Sequence, residues 1–178
     1  MKYAIFCLIK GKTEKYHQKL VKEYAKKFKE PYLIRFPLPS HTTLKYPSEI
    51  SASKMGELEK LLKRFCKNKK KSPISITRIR NFNRKVIVLK VDFSRKALAT
   101  YRKLMREIEK MKGIKWHKFD KQEKFHATIV YVNNKKMFGR VWKDALKLKP
   151  NFKIYFDNLT ILRKYGNDWR IYKTFKMK

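Results

Sequence analysis

Apolar residues fall along this chain in two rhythms, and the switches between them mark out its elements. Tyr3 to Ile9 is a nearly continuous apolar run of strand length, broken by Gly11. From Thr13 the period lengthens. Tyr16, Leu20, Tyr24 and Phe28 recur every four residues among lysines, which predicts an amphipathic helix with Thr13 able to cap its start and Pro31 closing its end. Pro31, Pro37 and Pro39 make the next stretch an irregular connection, and a strand beginning at His41 is expected to stop at Pro47. Met55, Leu58, Leu61, Leu62 and Phe65 form the stripe of a second helix, with Ser51 and Ser53 as alternative caps and Lys67 to Lys71 as a solvated turn. Ile74 and Ile76 open a strand, Asn81 to Arg84 reads as a turn and Val86 to Val91 as a more buried strand, so a hairpin is expected. Asp92 or Ser94 can cap a third helix carrying Leu98, Tyr101, Met105, Ile108 and Met111 on one side, with Gly113 placed to end it. After a strand at Phe125 to Tyr131, the segment Lys135 to Leu146 carries Phe138, Val141, Trp142 and Ala145 at helical spacing. Phe152 to Phe156 and Leu159 to Arg163 read as two strands or one bent strand, and Gly166-Asn167-Asp168 turns the chain into a last strand, Trp169 to Phe175.

Laid side by side, the halves repeat one order: strand, helix, strand, helix, strand, starting at Tyr3 and again near Val86. Each middle strand opens with the same local pattern. His41-Thr42-Thr43-Leu44 and His126-Ala127-Thr128-Ile129 are both His-x-Thr followed by an apolar residue. Successive side chains of a strand point to opposite faces, so His41 shares a face with Thr43 and His126 with Thr128, while Phe125, Ala127, Ile129 and Tyr131 take the other. A pseudo-twofold axis would bring the two strands to equivalent places, facing each other across a groove.

An imidazole titrating near neutrality beside a hydroxyl able to donate to an anionic oxygen, twice in one chain, is what hydrolysis of a phosphodiester needs. A single His-x-Thr would carry no weight, and two half-buried structural histidines remain the bland alternative. His17, on the first helix, and His117, in a loop, have no such company, and His17→Ala is expected to leave turnover alone.

Composition narrows the partners. The 48 Lys and Arg against 14 Asp and Glu give a net charge of +34, which points to a polyanionic partner such as RNA, DNA or an acidic membrane surface; lysine is spread along the whole chain, so a composition bias of the source is the rival explanation for part of the excess. The 43% hydrophobic and 14% aromatic content excludes a disordered basic chain, and 178 residues suffice for one domain of two packed lobes spanning residues 1–178. Two cysteines, Cys7 and Cys66, build neither a disulfide framework nor a zinc site, and a cytoplasmic, soluble protein is expected. The Tyr3 to Ile9 run lacks a small-residue cleavage site and reads as a strand, not a leader. No His, Cys, Asp or Glu cluster has ligand spacing, so no metal and no cofactor are expected. Gly11-Lys12-Thr13 lacks the upstream glycine of a phosphate loop.

The paired motifs, in this order of elements over nearly the whole chain, resemble the two-histidine phosphoesterase superfamily and its LigT-like RNA 2',3'-cyclic phosphodiesterases, historically called 2'-5' RNA ligases. The resemblance implies an α+β, bilobal fold, with pseudo-twofold-related lobes whose antiparallel sheets line a central cleft and whose helices lie outside. It implies His41 and His126 as the proton-transfer pair, His41 as acid and His126 as base, and Thr43 and Thr128 as phosphate-binding donors. Many cyclic phosphodiesterases of this type carry an Arg shortly after the second motif; here that place holds Tyr131, and Tyr46 sits similarly after the first. Both tyrosines are candidates for stacking on a base, or for simple packing. The expected partner is RNA or an oligonucleotide with a cyclic phosphate or 2'-5' linkage, bound by a monomer with no membrane involved. The rival is a non-catalytic RNA-binding protein on the same scaffold.

Overall fold

A computed structural model of the chain describes residues 1–35 and 37–178. The elements run β1 (Lys2–Leu8), α1 (Gly11–Phe28), α2 (Tyr32–Arg35), β2 (His41–Glu49), α3 (Ala52–Lys67), β3 (Ser72–Phe82), β4 (Val86–Phe93), α4 (Arg95–Glu109), β5 (His126–Tyr131), α5 (Lys135–Ala145), β6 (Phe152–Phe156), β7 (Asn158–Tyr165) and β8 (Asp168–Lys176). Apart from α2, the order β1-α1-β2-α3-β3 is repeated as β4-α4-β5-α5-β6.

The strands build two four-stranded antiparallel sheets, β2-β1-β7-β8 and β5-β4-β3-β6. The two His-x-Thr strands hold matching places, each at a sheet edge beside the opening strand of its half. The main core takes in residues of both sheets and of α1, α3, α4 and α5, so apolar burial welds the lobes together. A smaller cluster of Ala4, Phe6 and Leu162, with Leu38 and Trp169 against it, lies apart from that core. No helix among the described residues is long and apolar enough to cross a membrane.

Several boundaries depart from the pattern of residues, each for a local reason. Thr13 does not cap α1. The helix starts at Gly11, whose φ of +68° turns the chain directly out of extended Lys10, and Thr13 is buried inside the first turn. The proline-rich connection contains the short helix α2, and Pro47 does not stop β2. Pro47 falls in a register shift opposite Ala4, on an edge strand, where its missing N–H costs no ladder bond. Ser51 and Ser94 are the caps used, accepting from the amides of Lys54 (3.3 Å) and Ala97 (3.2 Å). α4 ends before Gly113, which takes its positive φ in the following turn. β6 and β7 are not one bent strand, because they join different sheets. The turn between β3 and β4 has Asn83 and Arg84 both at φ +51°, the left-handed geometry of a tight hairpin.

Candidate active site

The burial patterns of the two motif strands superimpose. In β2, His41 and Thr43 are half-buried while Thr42, Leu44 and Lys45 are buried; in β5, His126 and Thr128 are half-buried while Ala127, Ile129 and Val130 are buried. Two consecutive buried residues break simple alternation, and the pairing shows why. Thr43 pairs with Phe6 and Lys45 with Ile5, leaving Leu44 as an extra residue; Thr128 pairs with Val88 and Val130 with Ile87, leaving Ile129 as an extra residue. Each motif therefore carries a β-bulge at its apolar position, and a bulge returns the next side chains to the face that alternation denies them. This overturns the expected placement of Tyr131 with the buried residues. Tyr131 and Tyr46 are both half-buried on the side of the histidines.

The two histidines are oriented alike. His41 Nδ1 donates to the carbonyl of Pro39 at 2.6 Å, and His126 Nδ1 donates to the carbonyl of Lys124 at 2.7 Å, in each case two residues upstream. A carbonyl only accepts, so the proton is fixed on Nδ1 and Nε2 is the atom left to exchange protons in the neutral ring. Each ring also rests on a phenylalanine, His41 stacked on Phe6 with centroids 3.8 Å apart and His126 edge-on to Phe82 at 4.9 Å. Burial pushes the His41 imidazole down to about 4, against the upward pull of its Pro39 bond, and His17 and His126 add to the fall. Burial also lowers His126, opposed by its bond to Lys124.

The lobes are tied at the motifs. The backbone N–H of His126 donates to Thr42 Oγ1 at 3.1 Å, so the middle residue of one motif holds the histidine of the other. α1 packs against β5, the strand of the opposite half, and brings His17 between the motifs. His17 is 8% exposed, with Nε2 2.8 Å from the Thr128 carbonyl and Nδ1 2.8 Å from Ser40 Oγ, next to His41. The carbonyl obliges Nε2 to donate, leaving Nδ1 to accept from the Ser40 hydroxyl. Burial lowers its affinity for a second proton. His17, which stands alone in the sequence, is thus in contact with the surroundings of both motifs. Its isolation in sequence hides two contacts, one of them 111 residues away. His17→Ala should lower both Tm and turnover, costing about 1–3 kcal/mol for the partners left unpaired, whereas His17→Gln, with one donor and one acceptor, should recover part of each. Wild-type turnover by His17→Ala would show that the tie does not position the motifs.

Between the lobes lies a cavity of about 480 Å³. His126, Thr43, Tyr46 and Tyr131 line it; His41 and Thr128 are not in its wall, His41 lying against Phe6 and Thr128 next to the Tyr131 hydroxyl. Burial pushes both tyrosine hydroxyls above their usual range, so they remain neutral donors. The rest of the wall includes Phe82, Asn83, Phe119 and Lys124, none of which the motifs indicate. Lys124, immediately before Phe125-His126, is the cation nearest in sequence to the second motif.

Phe119 sits on a loop anchored from beneath. Lys45 occupies in the first motif the place Val130 has in the second, and its side chain is 0% exposed. Its ammonium donates to Asp120 Oδ2 at 2.9 Å, Ser48 Oγ at 3.2 Å and the Lys115 carbonyl at 2.9 Å. Asp120 in turn accepts from the backbone N–H groups of Tyr46 and His117, both at 2.8 Å. Arg102 grips Glu123 of the same loop with two bonds of 2.7 and 2.9 Å. The loop so held brings His117 and Phe119 against the Tyr46 ring. Among the described residues no group of three or more His, Cys, Asp or Glu side chains is placed to hold a metal ion.

The fold has counterparts among solved structures. The fold matches the Thermus thermophilus protein TT0787 with a TM-score of 0.66 at 15% identity, covering 99% of this chain and 98% of that one. It matches E. coli LigT in apo form at TM-score 0.62 and 14% identity, covering 99% and 97%, and Kluyveromyces marxianus Usb1 at 0.51 and 13%, covering 96% of each. No curated protein matches the sequence. The sequence pattern of one family spans residues 14–168, both motifs included, and on that match the chain belongs to the 2'-5' RNA ligase superfamily.

Proposed function

We propose that this protein is a metal- and cofactor-independent phosphodiesterase that opens 2',3'-cyclic phosphate ends of RNA or cleaves 2'-5' phosphodiester bonds, with His41 and His126 as its acid–base pair. The observation that carries the reading is the matched state of the two imidazoles: same motif, same Nδ1 tether, same bulge, on strands in contact across the cleft. Hydrolysis of a cyclic phosphate takes a proton from water on one side of phosphorus and gives one to the departing sugar oxygen on the other. Two Nε2 atoms serve both ends. Thr43 and Thr128 donate to the non-bridging oxygens, and the Tyr46 and Tyr131 hydroxyls supply further neutral donors where charge gathers. E. coli LigT has been seen in complex with 3'-AMP, a ligand of the size and chemistry this cavity suits.

The pKa directions constrain the roles. In the free protein His41 releases its proton more readily than an ordinary histidine, so the family assignment, His41 as acid and His126 as base, requires the bound phosphate anion to raise His41. Either assignment needs one imidazole charged and one neutral. Because kcat/KM reports the free protein, its pH profile should be a bell with one limb at about 4, from His41, and the other below the ordinary histidine range, from His126. A rate rising steadily into the alkaline range would contradict this. Stability has the same sign. His17, His41 and His126 all hold protons less tightly folded than unfolded, so their contribution is complete above about 6.5 and is lost as pH falls through the lowered values.

The deciding assay offers an oligonucleotide with a 2',3'-cyclic phosphate end and a 2'-5'-linked dinucleotide, each in excess EDTA. Turnover of at least one upholds the reading. Loss of turnover in EDTA, restored by a divalent ion, would overturn metal independence. The +34 charge would equally serve a protein that only binds RNA, and binding without turnover of either substrate would favour that alternative.

A further inference from the structure

The cavity at His126 does not end at Tyr131. A second hollow of about 380 Å³ opens beyond that ring, walled by Tyr32 and Leu38 from the connection before β2 and by Trp169 and Arg170 from the start of β8. Tyr131 lines both hollows, and its ring meets Tyr32 edge-on with centroids 5.0 Å apart. Trp169 packs on the cluster of Ala4, Phe6 and Leu162, and Phe6 is the ring on which His41 stacks. The second hollow therefore touches one motif strand directly, through Tyr131 of β5, and reaches the other through Trp169 and the Phe6 ring of β1 that carries His41.

Its chemistry is flat rings with guanidinium groups. Tyr32 is 49% exposed. Arg170 lies over Tyr165 at 5.8 Å, and Arg163 lies over Tyr165 at 4.8 Å and Tyr172 at 6.0 Å, extending the pattern along the β7–β8 hairpin. The Arg170–Asp168 pair, 3.6 Å long and 68% exposed on both sides, is the kind of contact a phosphate exchanges with little loss. Aromatic faces interleaved with arginine are how proteins hold single-stranded polynucleotides without reading sequence. The hollow on the opposite flank, lined by Arg80, Lys90 and Phe93, suits this less: Lys90 and Arg78 are both turned to Asp92, and Phe93 is stacked on Phe125 in the core.

We infer that the hollow of Trp169 and Arg170 is a subsite for the nucleotide preceding the 3' end of single-stranded RNA, so that the substrate is an oligonucleotide chain and not a free mononucleotide. The inference rests on the phosphodiesterase reading of the histidine pair. The terminal nucleoside occupies the first cavity, the chain passes Tyr131, the preceding base stacks on Trp169, and its phosphate faces Arg170.

The test compares kcat/KM on a 2',3'-cyclic mononucleotide with that on a trinucleotide carrying the same end, for wild type, Trp169→Ala and Arg170→Gln. The trinucleotide should be the better substrate. Each variant should lose roughly 5- to 100-fold on it, the range set by one base–aromatic contact, and stay within about twofold on the mononucleotide. Equal loss on both substrates, or loss on neither, overturns the subsite. Arg170→Gln, at an exposed position, keeps the test open if Trp169→Ala does not fold. Fluorescence anisotropy of a labelled trinucleotide with a 3'-phosphate separates the two claims. Binding that depends on Trp169 and Arg170 without wild-type turnover sinks the phosphodiesterase reading and upholds the subsite; turnover with binding indifferent to both residues sinks the subsite alone.

Discussion

Replacing either His41 or His126 with alanine is expected to lower turnover of an RNA 2',3'-cyclic phosphate by roughly a hundredfold to ten-thousandfold, the usual contribution of a positioned acid or base. The two losses should not add. Once one end of the proton-transfer pair is gone the other has little left to assist, so the double variant should lie close to the worse single one. Thr43→Ala and Thr128→Ala each remove one donor from a phosphate that keeps other partners, and about 1–3 kcal/mol, shared between binding and rate, is expected. Steady-state kinetics on purified variants, with near-wild-type circular dichroism as proof of folding, read these effects. A folded His126→Ala protein with wild-type turnover would remove the second motif from the mechanism.

Asp120→Ala should produce the largest loss of stability. It leaves the Lys45 ammonium, 0% exposed, without its counter-charge, and strips the acceptor from the amides of Tyr46 and His117. Breaking a buried pair from one side costs about 3–5 kcal/mol, which in a chain of this length lowers Tm by roughly 10 °C. The attraction itself need not be stabilising against an apolar alternative. Lys45→Met combined with Asp120→Asn should therefore regain much of the loss, since Asn still accepts a backbone bond and no charge remains buried. Turnover should fall in Asp120→Ala beyond what unfolding explains, because the loop carrying Phe119 and the Tyr46 backbone share this one anchor. A Tm within about a degree of wild type would mean that Lys45 reaches water when Asp120 is lost.

What can be read in the residues, and what cannot, divides along sequence distance. The two motifs, the internal repeat and most helices rest on local periodicity, and the structure has them. Strict alternation misplaces the face of Tyr131 because it holds only without a bulge, and the extra residues Leu44 and Ile129 look like any apolar strand position until the partner strand is known. Pro47 misleads for the same reason, since its tolerance depends on β2 being an edge. Lys45 reads as one more surface lysine among the 48 Lys and Arg; only the fold brings Asp120, 75 positions on, beneath it. His17 likewise acquires its meaning from Ser40 and Thr128. Its signal is present in a weak form: a histidine beside the apolar positions Tyr16 and Leu20 of an amphipathic helix is placed to be buried, and a buried imidazole needs partners.

That His41 and His126 serve one phosphate can be read by following both imidazoles by ¹⁵N NMR while titrating pH, without ligand and with 3'-AMP. A single bound phosphate between the rings should raise the pKa of both, bringing His41 up from about 4, and both shifts should saturate together at one equivalent of nucleotide. If only one imidazole responds, or if the two saturate at different concentrations, the histidines do not share a phosphate and the acid–base pair does not exist.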